Sequence, residues 1–242
     1  MIPKVNAALL ILLAIAIFIL RSEITNAPLI IIPWWLLTVI LSLAIAIYRP
    51  QGFSYPLVKD FGQLYVGGEP YFLYLNASKV LGGYIICCLL LYRADISGLQ
   101  KPVGYHVISV VAAIATVLLI AIAIFDVGIQ FKLVDGIMFF AICNLLFTVI
   151  PEEAFYRVLV QNKLAEFLGK QKRARLIAAG LTTLIFALSH SAAIGPEFFL
   201  FVLVGSIYTA VYVATGSLLA TVATHFGVNI IHFIFLEYPL KI

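Results

Sequence analysis

The chain has 242 residues, of which 64% are hydrophobic and only 11% charged, and it carries a net charge of +4 with histidine neutral. A soluble domain uses about 25% charged residues to cover its water-facing surface, so this composition, with a mean hydropathy of +1.13, excludes a soluble globule. The positive balance is no sign of nucleic acid, because the basic residues sit at the ends of apolar segments, where they act as topology signals.

About eight apolar segments predict an all-α fold: a polytopic transmembrane helical bundle forming a single integral-membrane domain over residues 1–242. The first segment runs from about 5 to 20 and stops at Arg21; the second, about 29–48, holds Trp34 and Trp35 and ends before Arg49 and Pro50. A polar stretch over 49–70, rich in Gly, Tyr and Pro, reads as an interfacial loop. The third segment spans about 71–92, the fourth 105–125 and the fifth 133–150. Cys87, Cys88 and Cys143 lie in these apolar runs without Cys-x-x-Cys spacing and read as core residues.

Residues 151–168 are amphipathic rather than apolar, with Val158, Leu159, Leu164, Phe167 and Leu168 among polar neighbours. This stretch either dips into the membrane and returns or continues the fifth segment past Pro151. Lys163, Lys170, Lys172, Arg173 and Arg175 follow, with Glu166 as the only acid among them. The positive-inside tendency places this basic segment, 163–175, in the cytoplasm, and counting spans from it leaves both termini outside. The last three segments run over about 176–190, 197–214 and 217–236.

Within this apolar background a few polar residues stand out. An ionisable group at the centre of a bilayer costs roughly 2.5–3.5 kcal/mol on insertion scales, so it marks pairing or chemistry. Glu152, Glu153 and Arg157 stand in Pro-Glu-Glu-Ala-Phe-Tyr-Arg; His190 ends Phe-Ala-Leu-Ser-His; His225 and Asn229 stand in His-Phe-Gly-Val-Asn. On a helix, Glu153 and Arg157 are i and i+4 and pair, which assigns Glu153 a structural part. Glu152 is turned about 100° away and is left to face a cavity as a candidate general base. His225 and Asn229, also i and i+4, present two hydrogen-bond donors on one face, a geometry suited to an oxyanion or, equally, to gluing helices together. His232 falls near the same stripe and is weighted towards helix contact.

The ordered set Glu-Glu-x-x-x-Arg, Phe-x-x-x-His and His-x-x-x-Asn on separate apolar segments resembles the CAAX prenyl protease and bacteriocin-processing family, the intramembrane proteases also called Abi proteins. The matching residues are Glu152, Glu153 and Arg157, then Phe186 and His190, then His225 and Asn229, with Ala-Thr-Gly-Ser-Leu-Leu-Ala over 214–220 also similar. The resemblance covers roughly 140–234. It implies an endopeptidase acting near the membrane surface on a prenylated CAAX-type or other lipid-modified or membrane-associated peptide. It further implies that Glu152 and His190 activate a water molecule and that His225 and Asn229 stabilise the oxyanion. With water activated by Glu152 and His190, the reading favours no metal and no cofactor, and there is no His-Glu-x-x-His. A zinc-dependent variant would draw its ligands from Glu152, His190 and His225 with one position open. A transporter relaying protons through the buried Glu and His residues is the alternative from another class, but no paired halves with matching interrupted helices are visible.

Overall fold

The computed structural model describes residues 2–22, 28–90, 101–169, 171–190 and 195–240. Lys170 of the basic segment and residues 91–92 of the third apolar segment lie outside the described residues. Among those described, the chain forms α1 (Lys4–Arg21), α2 (Pro28–Ile47), β1 (Leu57–Gln63), β2 (Pro70–Tyr74), α3 (Ala77–Leu90) and α4 (Val103–Phe125). One long continuous helix follows, α5 (Ile137–Phe167), then α6 (Lys172–His190), α7 (Pro196–Thr215) and α8 (Leu218–Phe235).

The helical membrane bundle expected from composition is what forms, with three adjustments. Among the described residues six helices, α1, α2, α4, α5, α7 and α8, are long and apolar enough to cross a membrane, where about eight apolar segments were expected. The third apolar segment opens as a strand: β2 pairs with β1 from the supposed loop, and only an apolar stretch of α3, Ala77–Cys88, follows it. The fifth segment and the amphipathic stretch after it are the single helix α5, so the second of the two readings of residues 151–168 holds. Helix ends follow local chemistry. Gly216, with φ of 65°, ends α7 by donating its N–H to the Tyr212 carbonyl, and Ser217 Oγ then accepts from Ala220 N at 3.2 Å to start α8.

By internal packing the chain forms two units. The first comprises Met1–Pro56, Tyr74–Ala94 and Leu146–Ala178. In it α1 packs against α2 and α3 through Leu10, Leu13, Ala16, Ile17 and Leu20. Trp35 of α2 donates its indole N–H to the Leu159 carbonyl at 2.8 Å, satisfying the polar edge that a buried tryptophan carries. The second unit comprises Leu57–Leu73, Asp95–Leu145 and Ala179–Ile242. There α4, α7 and α8 meet on the small residues Ala113, Val211 and Ala220. An aromatic cluster joins the hairpin residues Phe61 and Tyr71 to Phe140, Phe233 and Tyr238, with the Phe140 and Phe233 rings stacked 3.8 Å apart. The boundary between the units falls within α5, at Leu145 and Leu146.

Candidate active site

The first motif lies in the first unit, on a part of α5 that departs from α-helical winding. Pro151 has no N–H to give, and its ring collides with the preceding turn of a regular helix. The backbone widens to the i→i+5 pattern over Asn144–Val149 and again over Ala154–Gln161, leaving only Ile150–Glu153 as α-helix between them. In that wider pattern the acceptor that Pro151 cannot serve is the Leu146 carbonyl, five residues earlier. Tyr84 of α3 supplies the missing donor, its hydroxyl 3.0 Å from that oxygen. Such widened turns occur disproportionately at functional sites. Here all eight residues from Ala154 to Gln161 are buried.

Glu153 and Arg157 make the pair that their spacing predicts. Arg157 Nε donates to Glu153 Oε2 at 2.7 Å, and both side chains are wholly buried. One turn on, Arg157 Nη1 donates to Gln161 Oε1 at 3.0 Å. Three polar residues on one face are thus joined by two hydrogen bonds. Arg157 Nη2 is buried with no hydrogen-bond partner among the described residues.

Glu152 corrects the helix-face expectation. It is buried, but it does not stand without an ionic partner: Lys79 Nζ of α3 binds its Oε1. The reason is packing. Gly83 of α3 lies so close to Pro151 that a Cβ there would sit 2.4 Å from the Pro151 Cα. Lys79, at i−4 from Gly83, shares that face of α3 and so reaches the residue after Pro151. Helical spacing within α5 had no means of revealing a partner 73 residues away. The signal that was available is a lysine in the first turn of an apolar helix followed by a Gly-Gly pair.

The other two motifs lie in the second unit. His190 is the last residue of α6, and its Nδ1 is 2.8 Å from the Phe186 carbonyl oxygen. A carbonyl only accepts, so Nδ1 carries the proton and Nε2 is the acceptor nitrogen of the neutral ring. The imidazole stacks on Phe186 at 4.2 Å, which is what Phe-x-x-x-His achieves at i, i+4. Phe186 in turn is seated by Gly205 of α7, where a Cβ would come within 2.8 Å of its ring. His225 of α8 lies edge-on to the same Phe186 at 6.3 Å and tilted against Tyr208 at 4.8 Å. The two motif histidines therefore share one phenylalanine.

Asn229 Nδ2 donates to Asn144 Oδ1 at 3.3 Å. His232 has separate contacts: its Nε2 lies 2.8 Å from the Glu237 carbonyl and its ring beside Tyr238, at the end of α8. Gly205, Tyr208 and Asn144 escaped sequence reasoning because nothing in their local pattern distinguishes them from ordinary membrane-helix residues.

Among the described residues, no three His, Cys, Asp or Glu side chains are gathered as ligands for a metal ion.

Comparison with known proteins adds one finding. Residues 134–231 match the family model described as Type II CAAX prenyl endopeptidase Rce1-like. No curated protein and no solved structure matches the chain. The matched stretch contains all three motifs and nearly coincides with the 140–234 region that the motifs delimit. In that region the chain is similar to a family of CAAX-type prenyl endopeptidases, and six of its described helices are long and apolar enough to cross a membrane.

Proposed function

We propose that this protein is an endopeptidase that hydrolyses a peptide bond of a prenylated CAAX-type substrate close to the membrane surface. In this reading Glu152 is the general base. A buried carboxylate can take a proton from water as that water attacks the scissile carbonyl. His190 assists through Nε2, the nitrogen that its bond to Phe186 leaves as acceptor. The tetrahedral intermediate then carries a negative oxygen, which His225 and the Asn229 amide stabilise. As the intermediate collapses, the proton held by the base passes to the leaving amine. Glu153, Arg157 and Gln161 keep the helix carrying Glu152 rigid and take no part in the chemistry.

The observation that carries the reading is Glu152 itself: a carboxylate buried in a membrane helix, on the one α-turn between two widened stretches, inside the region that matches a prenyl endopeptidase family. A lipid-modified substrate suits such an address, because each buried methylene of a prenyl or acyl chain contributes about 0.8 kcal/mol of partitioning into the bilayer. The test is to present the purified protein, in lipid nanodiscs, with a farnesylated peptide ending in Cys-a-a-X and with its unprenylated counterpart. Release of the last three residues from the farnesylated peptide, at a rate at least about tenfold higher, is expected. Equal cleavage of both peptides would overturn the prenyl specificity. Cleavage of neither would overturn the CAAX reading altogether.

A further inference from the structure

We propose that Lys79 is the positioning residue of Glu152, holding the carboxylate in one orientation for the attack of water; the proposal rests on the role given to Glu152 above. The contact is between Lys79 Nζ and Glu152 Oε1, across 73 residues of sequence and between two helices, α3 and α5. A charge-assisted hydrogen bond to one carboxylate oxygen sets the plane of the group and the direction of the other oxygen.

Three features of α3 show that the lysine is held in place rather than arriving by chance. Asn76 caps the helix, its Oδ1 accepting from the Lys79 N–H at 3.1 Å. The same Asn76 is itself anchored, its Nδ2 donating to the Ala46 carbonyl at 2.9 Å and to the Tyr55 hydroxyl at 3.0 Å. One turn beyond Lys79, Gly83 presses on Pro151, and the next residue, Tyr84, bonds the Leu146 carbonyl. Lys79 is therefore fixed on both sides by contacts that set the backbone spacing between α3 and the Pro151–Glu152 turn.

The two ion pairs of this region divide the work. Glu153 and Arg157 lie within one helix and are wholly buried, so their pair maintains structure. The Lys79 side chain is 32% exposed and that of Glu152 only 9%. A pair with one partly solvated member adds less to stability than a wholly buried one, whereas a reacting carboxylate displaced by about 1 Å can cost about a hundredfold in rate. Lys79 should thus matter more to turnover than to folding.

The experiment compares wild type, Lys79→Met, Lys79→Gln, Lys79→Arg and Glu152→Gln in nanodiscs on the farnesylated Cys-a-a-X peptide, with thermal melting on the same preparations. Lys79→Met and Lys79→Gln are expected to lower kcat by about 10- to 100-fold, change KM by less than about threefold and melt within a few degrees of wild type. Lys79→Arg, which restores a cation that can reach the carboxylate, should return kcat to within about fivefold of wild type. Should Lys79→Met fail to fold, the contrast between Lys79→Gln and Lys79→Arg decides the matter. Wild-type kcat in both neutral variants, with Glu152→Gln inert, overturns the role of Lys79 alone. An active Glu152→Gln, or an inactive wild type, overturns the reading on which the proposal rests, and the proposal with it.

Discussion

Glu152 and Glu153 are adjacent in sequence, yet they have different partners and so different parts to play. Glu153 meets Arg157 four residues on in its own helix, whereas Glu152 meets Lys79 of α3. Removing either member of the buried pair leaves the other charge without compensation, which costs about 3–5 kcal/mol. Glu153→Ala and Arg157→Ala should each lower the melting temperature in detergent markedly, and the double substitution should be milder than the sum of the two. Additive losses in a double-mutant cycle would refute the pairing. Asn229 allows a sharper separation of roles. Its amide donates to Asn144, so helix contact alone would make Asn229→Ala a stability lesion. An oxyanion role instead predicts a turnover loss of about 10²–10³ with KM little changed, and Asn229→Asp at least as damaging. Steady-state kinetics and melting of the same samples distinguish the two. At this scale the sequence disclosed the residues whose partners lie one helical turn away: Glu153 with Arg157, and Phe186 under His190. Partners on other helices, Lys79 of Glu152 and Asn144 of Asn229, were invisible, since i, i+4 spacing says nothing about which helices pack.

At the scale of the element, α5 departs from its simple expectation. Its apolar and amphipathic halves read as separate segments because Pro151 interrupts the pattern, but the backbone passes the proline by widening rather than breaking. The open question of whether residues 151–168 turn back or continue therefore has a local answer: the carbonyl stranded by the proline is taken by Tyr84. Periodicity also failed at the start of the third segment, where β2 is apolar enough to be read as helix. The close approach of α3 to α5 depends on Gly83. Gly83→Ala would put a methyl into the Pro151 backbone, and such overpacking costs about 1–3 kcal/mol. Because it pushes α3 from the turn that bears Glu152, it should reduce turnover as well. Gly180→Ala in α6 is the matched control: nothing lies within 4 Å of the added carbon, and a helical Gly→Ala gains about 1 kcal/mol at most. Equal melting of the two variants would mean that α3 does not rely on this contact.

At the scale of the whole molecule, composition alone sufficed to indicate a helical membrane protein, because so few charges leave no other solvent for the chain. The number of spans was less legible: apolar length counts α3 and α6 equally with the rest, although the described apolar stretch of α3 is only Ala77–Cys88 and α6 opens on Lys172, Arg173 and Arg175. Those cations motivate an orientation. With the basic segment 163–175 in the cytoplasm, a protease site engineered at Gly169, an exposed turn residue where an added Cβ would meet nothing among the described residues, should be cut in inside-out vesicles and protected in sealed spheroplasts. The opposite protection pattern would reverse the topology. The central claim is that Glu152 activates the water that hydrolyses the substrate peptide. Its most direct test is the turnover of Glu152→Ala on a farnesylated Cys-a-a-X peptide, measured on preparations shown by melting to be folded. The account predicts a fall of at least about 10²–10⁴ relative to wild type; a folded Glu152→Ala protein retaining more than about a tenth of the wild-type rate would contradict it.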